Sequence, residues 1–220
     1  FPLEAVIAGL FDVYQTLLGV RFTDAPGAPR WHGDVRAFDI AEADGGEPFA
    51  RFYMDLFPRT NKYGHAAAFT LRRGRTLPGG DYQRPVSAIV ANFTKPSATQ
   101  PSLLRHTEVV TFFHEFGHIM HQTLTRARRA RFSGTATERD FVEAPSQMLE
   151  HWHFETGEPL PASLVESMVA AKNLSSGVMT LRQLFFATLD LTYHSPGFGG
   201  DTTATLRELH GITAFPYTEG

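Results

Sequence analysis

The stretch Thr111–Leu124, TFFHEFGHIMHQTL, combines side chains that rarely share one helix. Most of its residues are apolar on nearly every face, which is typical of a helix buried in a core. Glu115 nevertheless stands between His114 and His118. An ionised carboxylate in a core is costly unless it is paired or serves a metal site. A purely structural helix would leave this glutamate unexplained.

The spacing of the two histidines fits a metal site. His114 and His118 are four residues apart, so their rings lie one turn apart on the same helix face and can share a tetrahedral Zn²⁺. Glu115 projects beside that face, where it can take a proton from water that the ion activates. The motif H-E-x-x-H therefore predicts one zinc ion with Glu115 as catalytic base. Two core histidines held by hydrogen bonds are the alternative interpretation.

A third ligand has to come from another segment. His121 lies about 10 Å from His114 along the helix axis at the usual rise per residue, too far for both rings to bind one ion. We therefore predict that His121 has a supporting or structural role. Glu143, a carboxylate among apolar neighbours, is the best third ligand. Glu138 and Glu150 are weaker choices, because each is expected to face solvent.

The segment that carries this glutamate predicts a second helix, at about 138–155. Thr137 and Asp140 can form a capping box at its start, where Pro145 is also tolerated. Asp140 can equally accept a hydrogen bond from the outer nitrogen of a zinc-binding histidine, and both roles stay open. Gly117 costs about 1 kcal/mol against alanine inside a helix, so we expect it to let the second helix approach closely.

The rest of the chain predicts an α+β fold, mostly α-helical. A helix at 3–18 is followed by a small antiparallel sheet within 34–93 and a helical zinc-binding region at 102–220. The predicted strands are 34–40, 49–57, 65–71 and 85–93. The predicted later helices are 102–126, 138–155, 162–173, 177–193 and 203–210.

Composition restricts the possible functions. The 220 residues have a formal charge of −3 and no cysteine, so a metal has to rest on histidines and carboxylates. No apolar run reaches the roughly 20 residues that a membrane span requires. The basic run 126–131 suits a helix end in solvent. We expect neither nucleic acid nor membrane as a partner and a cytoplasmic location. The sequence does not determine the oligomeric state, for which we expect a monomer.

Four stretches together resemble the thimet oligopeptidase family of zinc metallopeptidases, which includes oligopeptidase A and the dipeptidyl carboxypeptidases. They are FFHEFGHIMHQ, FSGTATERDFVEAPSQMLEHW, KYGHAAAF and VANFTKP. The resemblance covers essentially the whole chain. It implies His114, His118 and Glu143 as ligands of one zinc ion, Glu115 as catalytic base, and a deep channel that admits short peptides.

The resemblance also places the chain within a larger protein. Members of that family are much longer, so 1–220 is expected to be the central part of a metallopeptidase catalytic domain. A Gly- and Tyr-rich segment that clamps the substrate is expected after Gly220. Residues His65, Ala66 and Ala67 lie on a small-residue strand, which either pairs with an extended peptide or packs tightly in the sheet.

The predicted function is zinc-dependent hydrolysis of short peptides by a metalloendopeptidase of the oligopeptidase type. The sequence does not separate this from dipeptidyl carboxypeptidase action. The alternative is a metal- or peptide-binding chain without turnover, because the substrate clamp would be absent. An ordinary helical structural domain, the third interpretation, predicts no metal.

Overall fold

The computed structural model describes residues 1–150, 162–172, 174 and 176–218, which belong to two units. The first unit is Phe1–Glu158 and the second is Pro159–Gly220. Helix α1, Leu3–Leu18, opens the first unit and confirms the predicted helix 3–18. It ends at Gly19, whose φ of 64° is the left-handed conformation that commonly terminates helices.

In the described residues seven strands follow α1, and five of them form the main sheet. They are β1 Val20–Asp24, β2 Arg36–Glu42, β3 Ala50–Asp55, β4 Ala67–Arg72, β5 Arg75–Thr76, β6 Tyr82–Gln83 and β7 Val86–Val90. The main sheet has the order β1-β2-β3-β7-β4, while β5 and β6 form a small hairpin of their own. The sheet is mostly antiparallel, and β4 lies at one edge of it.

The sheet departs from the prediction in two respects. Strand β1 was not predicted, because it is short and lies directly after the end of α1. Strands β3 and β7 run parallel, since the chain forms β4 first and then places β7 between β3 and β4. Strand direction depends on pairing between distant segments, which the alternation within a single strand does not report.

Helix α2, His106–Thr123, carries the H-E-x-x-H motif and packs on the main sheet. It begins later than the predicted 102–126, because residue Ser102 accepts a backbone hydrogen bond from Leu3 and Leu103 bridges to Pro2. Buried Phe116 packs edge-to-face against Tyr14 of α1 and Phe52 of β3. This aromatic packing fixes which face of α2 turns away from the core.

The predicted helix 138–155 is broken into α3, Arg139–Val142, and α4, Ala144–Leu149. Pro145 explains the break, because proline has no N–H and its ring clashes with a continuing helix. The predicted capping box is wrong, since Glu138 is the N-cap residue and makes no side-chain capping bond. The last part of the predicted helix, 151–155, lies outside the described residues.

The second unit is helical as predicted. It contains α5 Ala162–Lys172, α6 Ser176–His194, α7 Thr202–Leu209 and the short 3₁₀ turn His210–Ile212. Asp201 caps α7 by accepting hydrogen bonds from the backbone N–H groups of Thr203 and Ala204. None of the described helices combines the length and the hydropathy needed to cross a membrane. The α+β fold, mostly helical with a small sheet, is confirmed.

Candidate metal centre

Three side chains from two neighbouring helices converge at the solvent-facing side of α2. The Oε2 atom of Glu143 lies 3.3 Å from Nε2 of His114 and 3.1 Å from Nε2 of His118. The ligand atoms of the three residues all lie within 4.8 Å of one another. The same oxygen thus faces both rings, as the helical spacing of the histidines predicts.

These distances fit a single zinc ion. Ligand atoms at about 2.1 Å from a tetrahedral Zn²⁺ are about 3.4 Å from one another. The two measured nitrogen–oxygen separations, 3.3 and 3.1 Å, are close to that value. Two imidazoles and one carboxylate also leave a fourth position open, which is the arrangement of catalytic zinc sites.

A close contact between α2 and α4 brings the carboxylate to the rings. A Cβ atom added to Gly117 would lie 2.7 Å from Cα of Ser146, so the two backbones touch where the side chain is missing. This confirms the expected close approach at Gly117. The Ser146 hydroxyl, itself fully buried, lies 3.1 Å from Oε2 of Glu143 and 2.9 Å from its backbone oxygen.

Glu143 occupies the joint between α3 and α4, and its surroundings differ from those predicted. Its side chain is 49% exposed, so it is not a carboxylate enclosed by apolar neighbours. Phe141, one of its apolar neighbours in the sequence, is exposed because α3 is a single turn that lies at the surface. The two rings are better covered, with 23% of the His114 side chain and 12% of the His118 side chain exposed.

Glu150 binds the outer nitrogen of one ring. Its Oε1 lies 2.6 Å from Nδ1 of His114, on the side of the ring opposite Glu143. Asp140, the residue considered for this role, is exposed and has no hydrogen bond to either ring. It lies on the short α3, whereas Glu150 follows α4, the helix that contacts α2.

Two other histidine nitrogens on α2 are buried. Nδ1 of His118 and Nδ1 of His121 are buried without a hydrogen-bond partner in the described part of the chain. Burial lowers the pKa of His121, and the neighbouring His118 lowers it further. The His121 ring meets Phe141 edge-to-face at 6.3 Å, which agrees with a structural role.

Glu115 lies on α2 next to the first histidine and is partly exposed rather than enclosed in the core. This position leaves its carboxylate accessible beside the histidine face. Glu138 is exposed at the start of α3 and does not join the group of three. The structure therefore brings together the three predicted ligands and not the weaker choice Glu138.

Strand β4 lies beside α2 at the edge of the sheet. Among the described strands it pairs with β7 alone, through a register that begins at Ala67 opposite Val90. His65 and Ala66 were predicted to belong to this strand but precede it, because β7 ends at Val90 and offers them no pairing partner. Ala67 is the first residue of the strand, and Ala66 packs against the core.

The model of peptidase family M3 matches residues 1–211. The chain belongs to peptidase family M3. It is 47% identical to the thimet-like oligopeptidase of Dictyostelium discoideum over 96% of this chain and 34% of that protein. It is 36% identical to oligopeptidase A of Escherichia coli over 97% of this chain and 34% of that protein. The mitochondrial intermediate peptidase of Arabidopsis thaliana is 34% identical over 100% of this chain and 33% of its own length.

Membership of family M3 confirms the resemblance that the sequence motifs indicate. The chain spans about a third of the length of these relatives.

The sequence analysis missed the contact between Glu150 and His114. A signal for it was present. Glu143 and Glu150 are seven residues apart, two helical turns, so both can face α2 from one side of a helix.

Proposed function

We propose that this chain provides the zinc-binding centre of an oligopeptidase that hydrolyses peptide bonds in short peptides. One Zn²⁺ would be held by His114, His118 and Glu143. The observation that carries the proposal is the convergence of both Nε2 atoms on a single oxygen of Glu143, at 3.3 and 3.1 Å. In this proposal residues 1–220 form the central part of the catalytic domain of a longer protein.

Zinc, when bound, supplies a Lewis acid that polarises the scissile carbonyl and makes the attacking water more acidic. Glu115 takes the proton of that water and later delivers it to the leaving amine. Its partial exposure suits a group that lies beside the histidine face and has to reach both water and substrate. His114 and His118 stay neutral in this role, since a protonated imidazole has no lone pair for a metal.

In this proposal the edge strand β4 binds the peptide substrate. Its edge beside α2 can pair with an extended backbone, and the small side chains of Ala66 and Ala67 leave room for that chain. His65, exposed just ahead of the strand, would lie along the path of the peptide. Pairing of this kind uses backbone groups, so it suits substrates of varied sequence.

Two Glu-to-Gln substitutions, which hardly change the size of the side chain, separate the proposed roles of Glu115 and Glu143. Glu115→Gln removes the base but no ligand, so it should keep zinc and lose cleavage of a quenched short peptide. Glu143→Gln removes a charged ligand, so it should lose zinc, and cleavage with it. Zinc is measured by competition with a chromophoric chelator, and o-phenanthroline controls for metal-independent cleavage.

The outcomes distinguish the proposal from its rival. If Glu143→Gln binds zinc as tightly as the parent chain, the ligand assignment is wrong. If the full-length parent protein binds zinc but cleaves no short peptide, a metal- or peptide-binding protein without turnover is the better account. That rival shares the metal site, so metal content alone does not separate the two.

We also propose that the protein is cytoplasmic and monomeric. One relative carries the name probable cytosolic oligopeptidase A and another is named as mitochondrial, so members of the family occur in more than one compartment. Fractionation of cells that express the full-length protein tests the location. Sedimentation equilibrium tests the monomeric state.

A further inference from the structure

We propose that Glu150 is a positioning residue that sets the metal affinity of the site by holding the ring of His114. The inference rests on the proposed metal site and deepens it. It concerns a contact between two residues that are 36 positions apart in the sequence.

The hydrogen bond holds the outer nitrogen of the His114 ring. Oε1 of Glu150 lies 2.6 Å from Nδ1 of His114. When zinc takes the lone pair of Nε2, the proton of the neutral ring is on Nδ1, where the Glu150 carboxylate can accept it. Nε2 is the atom that faces Glu143 at 3.3 Å. The contact therefore keeps the ligating nitrogen ready for a metal.

The helix that supplies this carboxylate is itself anchored. Leu149, the residue before Glu150, is buried in the main core, and Ser146 is buried against Gly117 of α2. Glu143 and Glu150 flank this anchored turn and approach the His114 ring from its two nitrogens. The His114 ring therefore lies between two carboxylates, Glu143 and Glu150, which belong to one segment of the chain.

The other ring lacks this support. Nδ1 of His118 is buried without a hydrogen-bond partner in the part of the chain that is described. On this outer side of the ring, its orientation depends on the packing around α2 rather than on a second carboxylate. The two rings are therefore supported unequally, and a loss of Glu150 should act through His114.

The test compares Glu150→Gln and Glu150→Ala with Glu138→Gln as the matched control, an exposed glutamate at the start of α3. Outer hydrogen bonds of this kind are typically worth 10- to 100-fold in metal affinity. We expect zinc affinity to fall by about tenfold in Glu150→Gln, which keeps an acceptor, and further in Glu150→Ala. Glu138→Gln should bind zinc as the parent chain does.

A second measurement separates positioning from general stability. In the zinc-loaded protein, ¹H–¹⁵N spectra should show a slowly exchanging Nδ1–H proton on His114, and Glu150→Ala should lose this slow exchange while the thermal unfolding midpoint stays unchanged. If Glu150→Ala does not fold, Glu150→Gln alone decides. Equal zinc affinity in parent, Glu150→Gln and Glu150→Ala overturns the inference and leaves the proposed function intact. A parent chain that binds no zinc, or binds it equally after Glu143→Gln, defeats the proposed function itself.

Discussion

At the scale of single residues, the hydroxyl of Ser146 links the candidate metal ligand to the helix that carries it. The Ser146 oxygen lies within hydrogen-bond distance of both the carboxylate and the backbone oxygen of Glu143. Ser146 is fully buried, so its position follows from helix packing and not from solvent. The Ser146 hydroxyl, whose single proton can go to either oxygen, thus helps to orient an otherwise half-exposed carboxylate.

Ser146→Ala should weaken zinc binding without unfolding the chain. A net hydrogen bond is worth about 1 kcal/mol, so the expected loss is about fivefold in affinity. Chelator competition measures it. Ser167→Ala is the control, since that exposed hydroxyl bonds only the backbone of its own helix, α5. Unchanged zinc affinity in Ser146→Ala would show that this hydroxyl does not orient Glu143.

The site could be predicted from the sequence as far as local spacing reaches. The helical repeat places His114 and His118 on one face. Glu143 was chosen as their partner for its apolar neighbours in the sequence, although its side chain is half exposed in the structure. The sequence analysis considered Asp140 as the partner of a zinc-binding histidine and Glu150 only as a weaker third ligand, because it did not predict the break at Pro145. That break leaves Asp140 on a separate single turn at the surface.

At the scale of secondary-structure elements, the contact between α2 and α4 determines whether the ligands meet. Gly117 is the point of closest approach, where an added Cβ would come 2.7 Å from Cα of Ser146. Because the obstacle is backbone, no side-chain rotation relieves it. The two helices would have to separate, and Glu143 would move away from the rings.

Gly117→Ala should therefore destabilise the fold and weaken zinc binding together. Overpacking costs about 1–3 kcal/mol, and the better helix propensity of alanine returns only about 1 kcal/mol of this. Urea unfolding measures the difference. Gly177→Ala in α6 is the matched control, since an added Cβ meets nothing there, and it should be neutral or stabilising. A Gly117→Ala chain as stable as the parent, with equal zinc affinity, would refute the role of the contact.

Elements with strong periodicity were predicted well, and pairings between distant elements were not. Helix 3–18 was predicted with its bounds because its apolar stripe ends at Gly19. The parallel pairing of β3 with β7 was missed, since each strand alone is compatible with either direction. Strand β1 was missed because so short a segment has too little alternation to identify.

At the scale of the whole molecule, a buried ion cluster ties the end of β3 to the loop that leads to the edge strand. The Asp55 carboxylate accepts hydrogen bonds from Arg59, Lys62 and the indole of Trp31. Lys62 also donates to the backbone oxygen of Ala91, just beyond β7. Burial alone would raise the pKa of Asp55, but its hydrogen bonds outweigh burial and lower the pKa to about 2.

This cluster predicts a loss of stability in acid. The pKa of Asp55 is lower in the folded than in the unfolded chain, so its contribution is complete above about pH 4 and is lost as pH falls towards 2. The shift corresponds to about 2 kcal/mol. The difference in the free energy of unfolding between the parent chain and Asp55→Asn should therefore shrink by about 2 kcal/mol from pH 6 to pH 2.

Urea unfolding over this pH range measures the difference. Asp12→Asn, a substitution of the same type at an exposed position of α1, serves as the control for the loss of one carboxylate. A constant difference between parent and Asp55→Asn across the range would show that Asp55 is not ionised more readily in the folded state.

The most direct test of the account is an anomalous difference map, recorded at the zinc edge, of crystals of the zinc-loaded chain. We expect one strong peak at about 2.1 Å from Nε2 of His114, Nε2 of His118 and a carboxylate oxygen of Glu143. Absence of a zinc peak at this place, or a peak with the Glu143 side chain beyond bonding distance, would contradict the account.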